Sequence, residues 1–169
     1  MNEPLRVYLI STFSDLAEYR VAVVDVLMRY GLTPILLENL PAADQTPIDA
    51  IYQEINDADI VIVLLAHRLG STMAGAEKSV VELEYERAKS LGKTIFAFVV
   101  DEETPWPPNR MDHDLGAVQR FKAHLLRDHL VFFFTTPHDL AVKVAVAVSG
   151  FLATGANTFR DRHLAARRY

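Results

Sequence analysis

Short apolar runs punctuate this chain, and a stretch with apolar residues at helical spacing follows each of them. Leu5–Ile10, Thr33–Leu37, Asp59–Ala66, Thr94–Val100 and Leu130–Phe134 predict five strands. Asp59–Ala66 (DIVIVLLA) is continuously apolar, as expected of a parallel strand covered on both faces. Helices are predicted from Asp15 to Tyr30, from Thr46 to Asn56, from Lys78 to a stop at Gly92, from Asp112 to Arg127 and from Thr136 to Leu152. Their punctuation is local chemistry. Asp15 with Glu18 resembles a capping box, Thr46-Pro47 and Thr136-Pro137 are start signals, and Gly31 and Gly92 are natural stops. A polar loop from Glu38 to Gln45 and another from His67 to Lys78 join elements.

Strand and helix in strict alternation predict an α/β fold, with a parallel sheet and helices on both faces. The expectation is a flavodoxin-like three-layer sandwich whose five strands lie in the order 2-1-3-4-5. At 169 residues the chain is long enough for one domain with a real core. Residues 1–153 are assigned to that domain. Residues 154–169, with Arg160, Arg162, Arg167 and Arg168, form a basic tail or linker.

The central helix carries one residue out of pattern. Val81, Tyr85 and Ala88 form its apolar stripe, and Glu82 and Glu86 lie well off it. Glu84 falls about 60° from Val81, on the flank shared with Ala88 and Leu91. Its carboxylate is expected at the edge of the core, where a charge costs free energy unless paired or neutralised. That marks either a site or a tolerated Glu at a stripe margin. In open α/β sheets ligands bind beyond the carboxyl ends of the strands, at the reversal of strand order. The turn Ser11–Ser14, the loop His67–Ser71 and the start of the Glu84 helix converge there. The first turn suits phosphate or ribose oxygens, Arg68 suits an anion, and His67 and Arg68 could equally be surface residues. Asp101–Met111, rich in proline around Trp106, is expected to be an ordered loop near the mouth of this site.

Composition narrows the chemistry. A formal net charge of −5 argues against broad nucleic-acid binding. The absence of cysteine excludes disulfides, thiolate nucleophiles and Cys-ligated zinc. The six histidines show no HxxxH or HExxH pairing, so no metal is expected. There is no GxGxxG, no P-loop and no GxSxG elbow. A receiver domain would need an acidic pair after the first strand, where Ser11-Thr12 stands. No apolar run approaches the roughly 20 residues of a membrane span, and no secretory signal is visible. The expected location is the cytoplasm.

The segments VYLISTFSDL, DQTP at Asp44–Pro47, DIVIVLLAHRLGS, ELEYERAKSLGK, DEETPWPP and VFFFTTPHDLAVKV together resemble domain-of-unknown-function family 4062, over about Leu5–Val144. That family is often found at the N-terminus of larger signalling NTPases. Leu69 departs from it, where an aromatic is expected. The family is similar in turn to TIR domains and to nucleoside 2-deoxyribosyltransferases. Both carry a catalytic Glu on this helix, a small residue four positions on, and Gly-Lys at eight and nine. Glu84, Ala88, Gly92 and Lys93 fit that spacing; Glu82 and Glu86 do not.

The resemblance implies a TIR-like domain that binds NAD, a nucleotide or a nucleoside and cleaves its N-glycosidic bond through Glu84. Ser11, Thr12, Phe13, His67, Arg68, Gly70 and Ser71 would bind the substrate. NAD would enter as substrate, with no cofactor and no metal. TIR-like surfaces would support a homo-oligomer. The alternatives are a non-catalytic interaction or signalling domain of a larger NTPase-type or defence protein, and a sensor that binds a nucleotide without hydrolysing it.

Overall fold

A computed structural model describes residues 3–40 and 44–166, with side chains through 154. Part of the expected Glu38–Gln45 loop, the side chains of Arg160 and Arg162, and all of Arg167 and Arg168 lie outside the described residues. Five strands form one sheet: β1 (Arg6–Ile10), β2 (Thr33–Ile35), β3 (Ile60–Leu65), β4 (Thr94–Val100) and β5 (Phe132–Phe134). All pairings are parallel and the order is β2-β1-β3-β4-β5, as the alternation predicts. The helices are α1 (Ala17–Arg29), α2 (Pro47–Asp57), α3 (Val80–Ser90), α4 (Leu115–Asp128) and α5 (Pro137–Ala166).

The two-residue period of the strands divides the core into two halves. Val7 and Leu9 face the side covered by α1 and α5, packing with Leu16, Val23, Leu27, Leu140 and Val144. Tyr8 and Ile10 face the side covered by α2, α3 and α4, packing with Ile51, Ile55, Tyr85, Ala88 and Phe121. Every residue of β3 is buried, because both faces of this central strand are covered.

Two local expectations are corrected. Helix α1 opens at Ala17 with Leu16 at the N-cap and no side-chain cap bond. The Asp15–Glu18 capping box does not form, because Leu16 and Asp15 turn into the interior and Glu18 instead accepts from Arg110 at 2.7 Å. Helix α3 has a complete capping box: the Ser79 hydroxyl accepts from the Glu82 amide, and Glu82 accepts from the Ser79 amide at 2.8 Å. Helix α5 continues to Ala166, well past Leu152.

Candidate functional site

The carboxyl ends of β1 and β3, the residues after β2 and the start of α3 enclose a cleft of about 600 Å³. Glu84 reaches it from the first half of α3. It is only 2% exposed, deeper than a stripe margin requires. The depth follows from the sheet. Tyr8 is on the same side of β1 as α3, is itself fully buried, and donates its hydroxyl to Glu84 Oε1 at 2.6 Å. A buried phenol needs a partner and a buried carboxyl needs a donor, so each satisfies the other. Burial raises the Glu84 pKa to about 7, against the opposing pull of the Tyr8 hydrogen bond and the Arg20 charge. Burial, and next to it the Glu84 charge, hold the Tyr8 hydroxyl far above its ordinary range. Near neutral pH, Glu84 can therefore hold or release a proton.

Ser11, Thr12, Phe13, Arg68, Gly70 and Ser71 also line this cleft. His67 does not. Its ring packs edge-on against Trp106, 5.8 Å between centroids, and burial lowers its pKa. Arg68 is not a free cation. It donates to Ser14 Oγ at 2.9 Å and to the Asn109 carbonyl at 3.1 Å, and its Nε lies 3.4 Å from Asp112 Oδ1. Asp112 also accepts from the Leu69 amide at 2.8 Å, while its own amide donates to the His67 carbonyl at 2.9 Å. These bonds fix the loop after β3. Gly70, at φ +77°, makes the turn that brings this loop against the first one: a Cβ there would lie 3.2 Å from Thr12 Cγ2.

Arg20 is the residue that sequence reasoning passed over. It is 5% exposed in the first turn of α1, yet it reaches the cleft and donates to Ser11 Oγ and Glu38 Oε1. Its guanidinium also lies 5.4 Å from the centroid of the Phe13 ring. Glu38 comes from a 3₁₀ turn (Leu37–Asn39) after β2. A signal was present: Leu16, Arg20, Val23 and Leu27 occupy one stripe of α1 at spacings of four, three and four. An arginine in that stripe must be paired.

The remaining members of the spacing shared with the resembling families are structural. Ala88 is fully buried in the core, and Gly92 adopts φ +63° to end α3. Lys93 donates to the carbonyls of Asn56 and Ala58, at 2.6 and 2.7 Å, tying down the end of α2. The Trp106 loop is ordered against the core. Its indole packs 5.5 Å from the Tyr19 ring and donates to the Arg110 carbonyl at 3.3 Å, beside the Asn109 carbonyl that holds Arg68. No group of three or more potential metal ligands occurs among the described residues, and no helix there is long and apolar enough to cross a membrane.

No curated protein matches the chain. Among solved structures it is similar to the TIR domains in "Structure of the activated Roq1 resistosome directly recognizing the pathogen effector XopQ". The identity is 10% and the TM-score 0.48, with 96% of this chain and 98% of that one covered. A family model described as "Domain of unknown function (DUF4062)" matches residues 6–149. That match spans most of the chain, strand β1 through the middle of α5, and with it both walls of the cleft: the chain belongs to the DUF4062 family.

Proposed function

We propose that the cleft binds a nucleoside or nucleotide, NAD included, and that Glu84 assists cleavage of its N-glycosidic bond. One observation carries this reading: a nearly inaccessible carboxylate lines an otherwise open cleft with no cation bonded to it, held only by a phenol. A carboxylate kept for stability alone is better served by a paired arginine or by an apolar replacement. In the reaction, the C1′–N bond breaks and its electron pair leaves with the base. A water oxygen bonds C1′; the water proton passes through solvent to the departing base of a neutral nucleoside, or stays in solvent where nicotinamide leaves NAD as a neutral pyridine. Positive charge develops on the ribose as the bond opens, and Glu84 in its charged form stabilises it. Low local dielectric strengthens that interaction. Concentrated protein incubated with NAD and a panel of nucleosides should release free base, and Glu84→Gln protein should not. Absence of base from every compound would remove the enzymatic reading.

A second reading is an interaction domain, and a specific feature favours it. Val21 and Met28 are exposed on one face of α1, and Val142 and Val146 on one face of α5, the helix packed beside it. Replacing Val21 and Val146 with serine should abolish any self-association while leaving base release intact.

A further inference from the structure

The charged groups of the cleft say more about its ligand than Glu84 does. Its cations are Arg20 and Arg68, and its carboxylates are Glu38, Glu84 and Asp112, three against two. Both guanidinium groups are already engaged, Arg20 with Ser11 and Glu38, Arg68 with Ser14, Asn109 and Asp112. The two serine hydroxyls of the first turn are engaged as well, whereas that of Thr12 is buried and has no hydrogen-bond partner. Ser11 accepts from Arg20 and donates to the Thr12 carbonyl at 2.9 Å, and Ser14 accepts from Arg68. With Glu84 protonated the balance is two against two, so a phosphate entering here would meet no excess of positive charge in either form and would have to break a formed ion pair to gain a cation.

What the cleft offers instead is acceptors. Arg20 is buried and anchors Oε1 of Glu38, which leaves Oε2 to accept from a ligand on a side chain 37% exposed. Glu84 has the same form, with one oxygen held by Tyr8. A carboxylate oriented by an arginine suits vicinal hydroxyls, each of which donates one hydrogen bond to it. Glu38 also stands just after β2, on the cleft formed at the carboxyl edge of the sheet, where an acidic side chain can meet a ribose.

The geometry points to an unphosphorylated ribonucleoside as the ligand, its 2′,3′-diol held by Glu38 on the Arg20 anchor. Glu38 is then the group that separates ribose from 2-deoxyribose, and Arg20 is a positioning residue that acts through it. This inference rests on the cleft proposed above as the binding site, and not on Glu84 being catalytic. The exposed ring of Phe13, already against Arg20 on the cleft wall, offers an aromatic surface for the base.

The test is equilibrium titration of wild-type protein with matched sets of probes. Adenosine, guanosine, cytidine and uridine are each compared with their 2′-deoxy and 5′-monophosphate forms, and nicotinamide riboside with its mononucleotide and NAD. At least one ribonucleoside should bind tenfold or more tightly than both of its counterparts. In Glu38→Gln protein the preference for the ribo form should disappear, its affinity falling further than that of the 2′-deoxy form, which loses only the bond from its 3′-hydroxyl. Equal binding of the ribo and deoxy forms would overturn the inference. So would tighter binding of the phosphorylated form, or no binding of any probe; these wild-type comparisons need no variant to fold. Base release, measured separately, reports on Glu84. Diol discrimination without base release would keep this inference and remove the catalytic reading. Base release from ribose, deoxyribose and phosphorylated probes alike would do the reverse.

Discussion

The Tyr8 hydroxyl donates to Glu84 Oε1 at 2.6 Å, so the buried face of the first strand sets the orientation of the one deeply buried carboxylate in the cleft. The bond favours the charged form of Glu84 against its burial. Tyr8→Phe removes that support without opening a large space. The midpoint at which Glu84-dependent base release rises with pH should move upward, and loss of the buried hydrogen bond should cost about 1–3 kcal/mol. A pH profile of base release, paired with urea unfolding, checks both. An unchanged midpoint would mean that Tyr8 only fills space.

The Glu84 position was legible in the sequence because helical phase needs only local residues, and Val81, Tyr85 and Ala88 set that phase. Its depth was not. That depends on Tyr8, 76 positions away, which looks like any aromatic in a strand until pairing places it opposite α3. Strand order was legible from alternation and from the apolar continuity of β3. The Arg68–Asp112 pair was not, since it joins two loops through a tertiary contact that no spacing encodes. Glu82 lies off the apolar stripe of α3, and Ser79 three residues earlier makes it half of a capping box. His67 is expected at the cleft as part of the His67–Ser71 loop, yet it is not in the lining. At the end of a strand neighbouring side chains point to opposite sides, and Trp106 takes the His67 ring.

Gly70 and Gly75 make a matched pair. Both have positive φ, +77° and +79°, but a Cβ at Gly70 would meet Thr12 at 3.2 Å whereas one at Gly75 would meet nothing within 4 Å. Each substitution by alanine should cost about 1–2 kcal/mol for the left-handed backbone. Gly70→Ala should also displace the Arg68–Ser71 loop from the Ser11–Ser14 turn and weaken ligand binding, while Gly75→Ala should not. Thermal melting together with nucleoside titration separates the two effects. Equal loss of binding in both variants would deny the close approach a role.

Lys93 shares the resembling families' spacing with Glu84 but acts elsewhere. Its ammonium satisfies the Asn56 and Ala58 carbonyls at the end of α2. Lys93→Met leaves those carbonyls without their donor and should destabilise the fold by about 1–3 kcal/mol. Base release at temperatures well below melting should stay at the wild-type rate. A selective drop in turnover, with stability intact, would place Lys93 in the chemistry.

Glu84→Gln separates charge from shape, because the amide keeps an oxygen for Tyr8 while losing the ability to ionise. With the Glu84 pKa raised from 4.5 to about 7, the native state holds the proton that the unfolded chain has already released between those two values. Stability therefore falls as pH rises through that window and levels off above about 7. The total is about 3 kcal/mol, set by desolvation of the charge. The neutral amide of the Glu84→Gln variant feels no such penalty. The stability of this variant relative to wild type should climb between about pH 4.5 and 7 and then stay constant, as unfolding curves across that range would show. Base release should fall by roughly 100-fold or more, the loss expected when a transition-state charge stabiliser is removed. Glu82→Gln, which keeps a side-chain oxygen for the Ser79 amide of the α3 capping box, should be close to neutral in stability and leave turnover unchanged. A Glu84→Gln protein that gained stability at high pH and kept its full rate would show the carboxylate to be strained but idle.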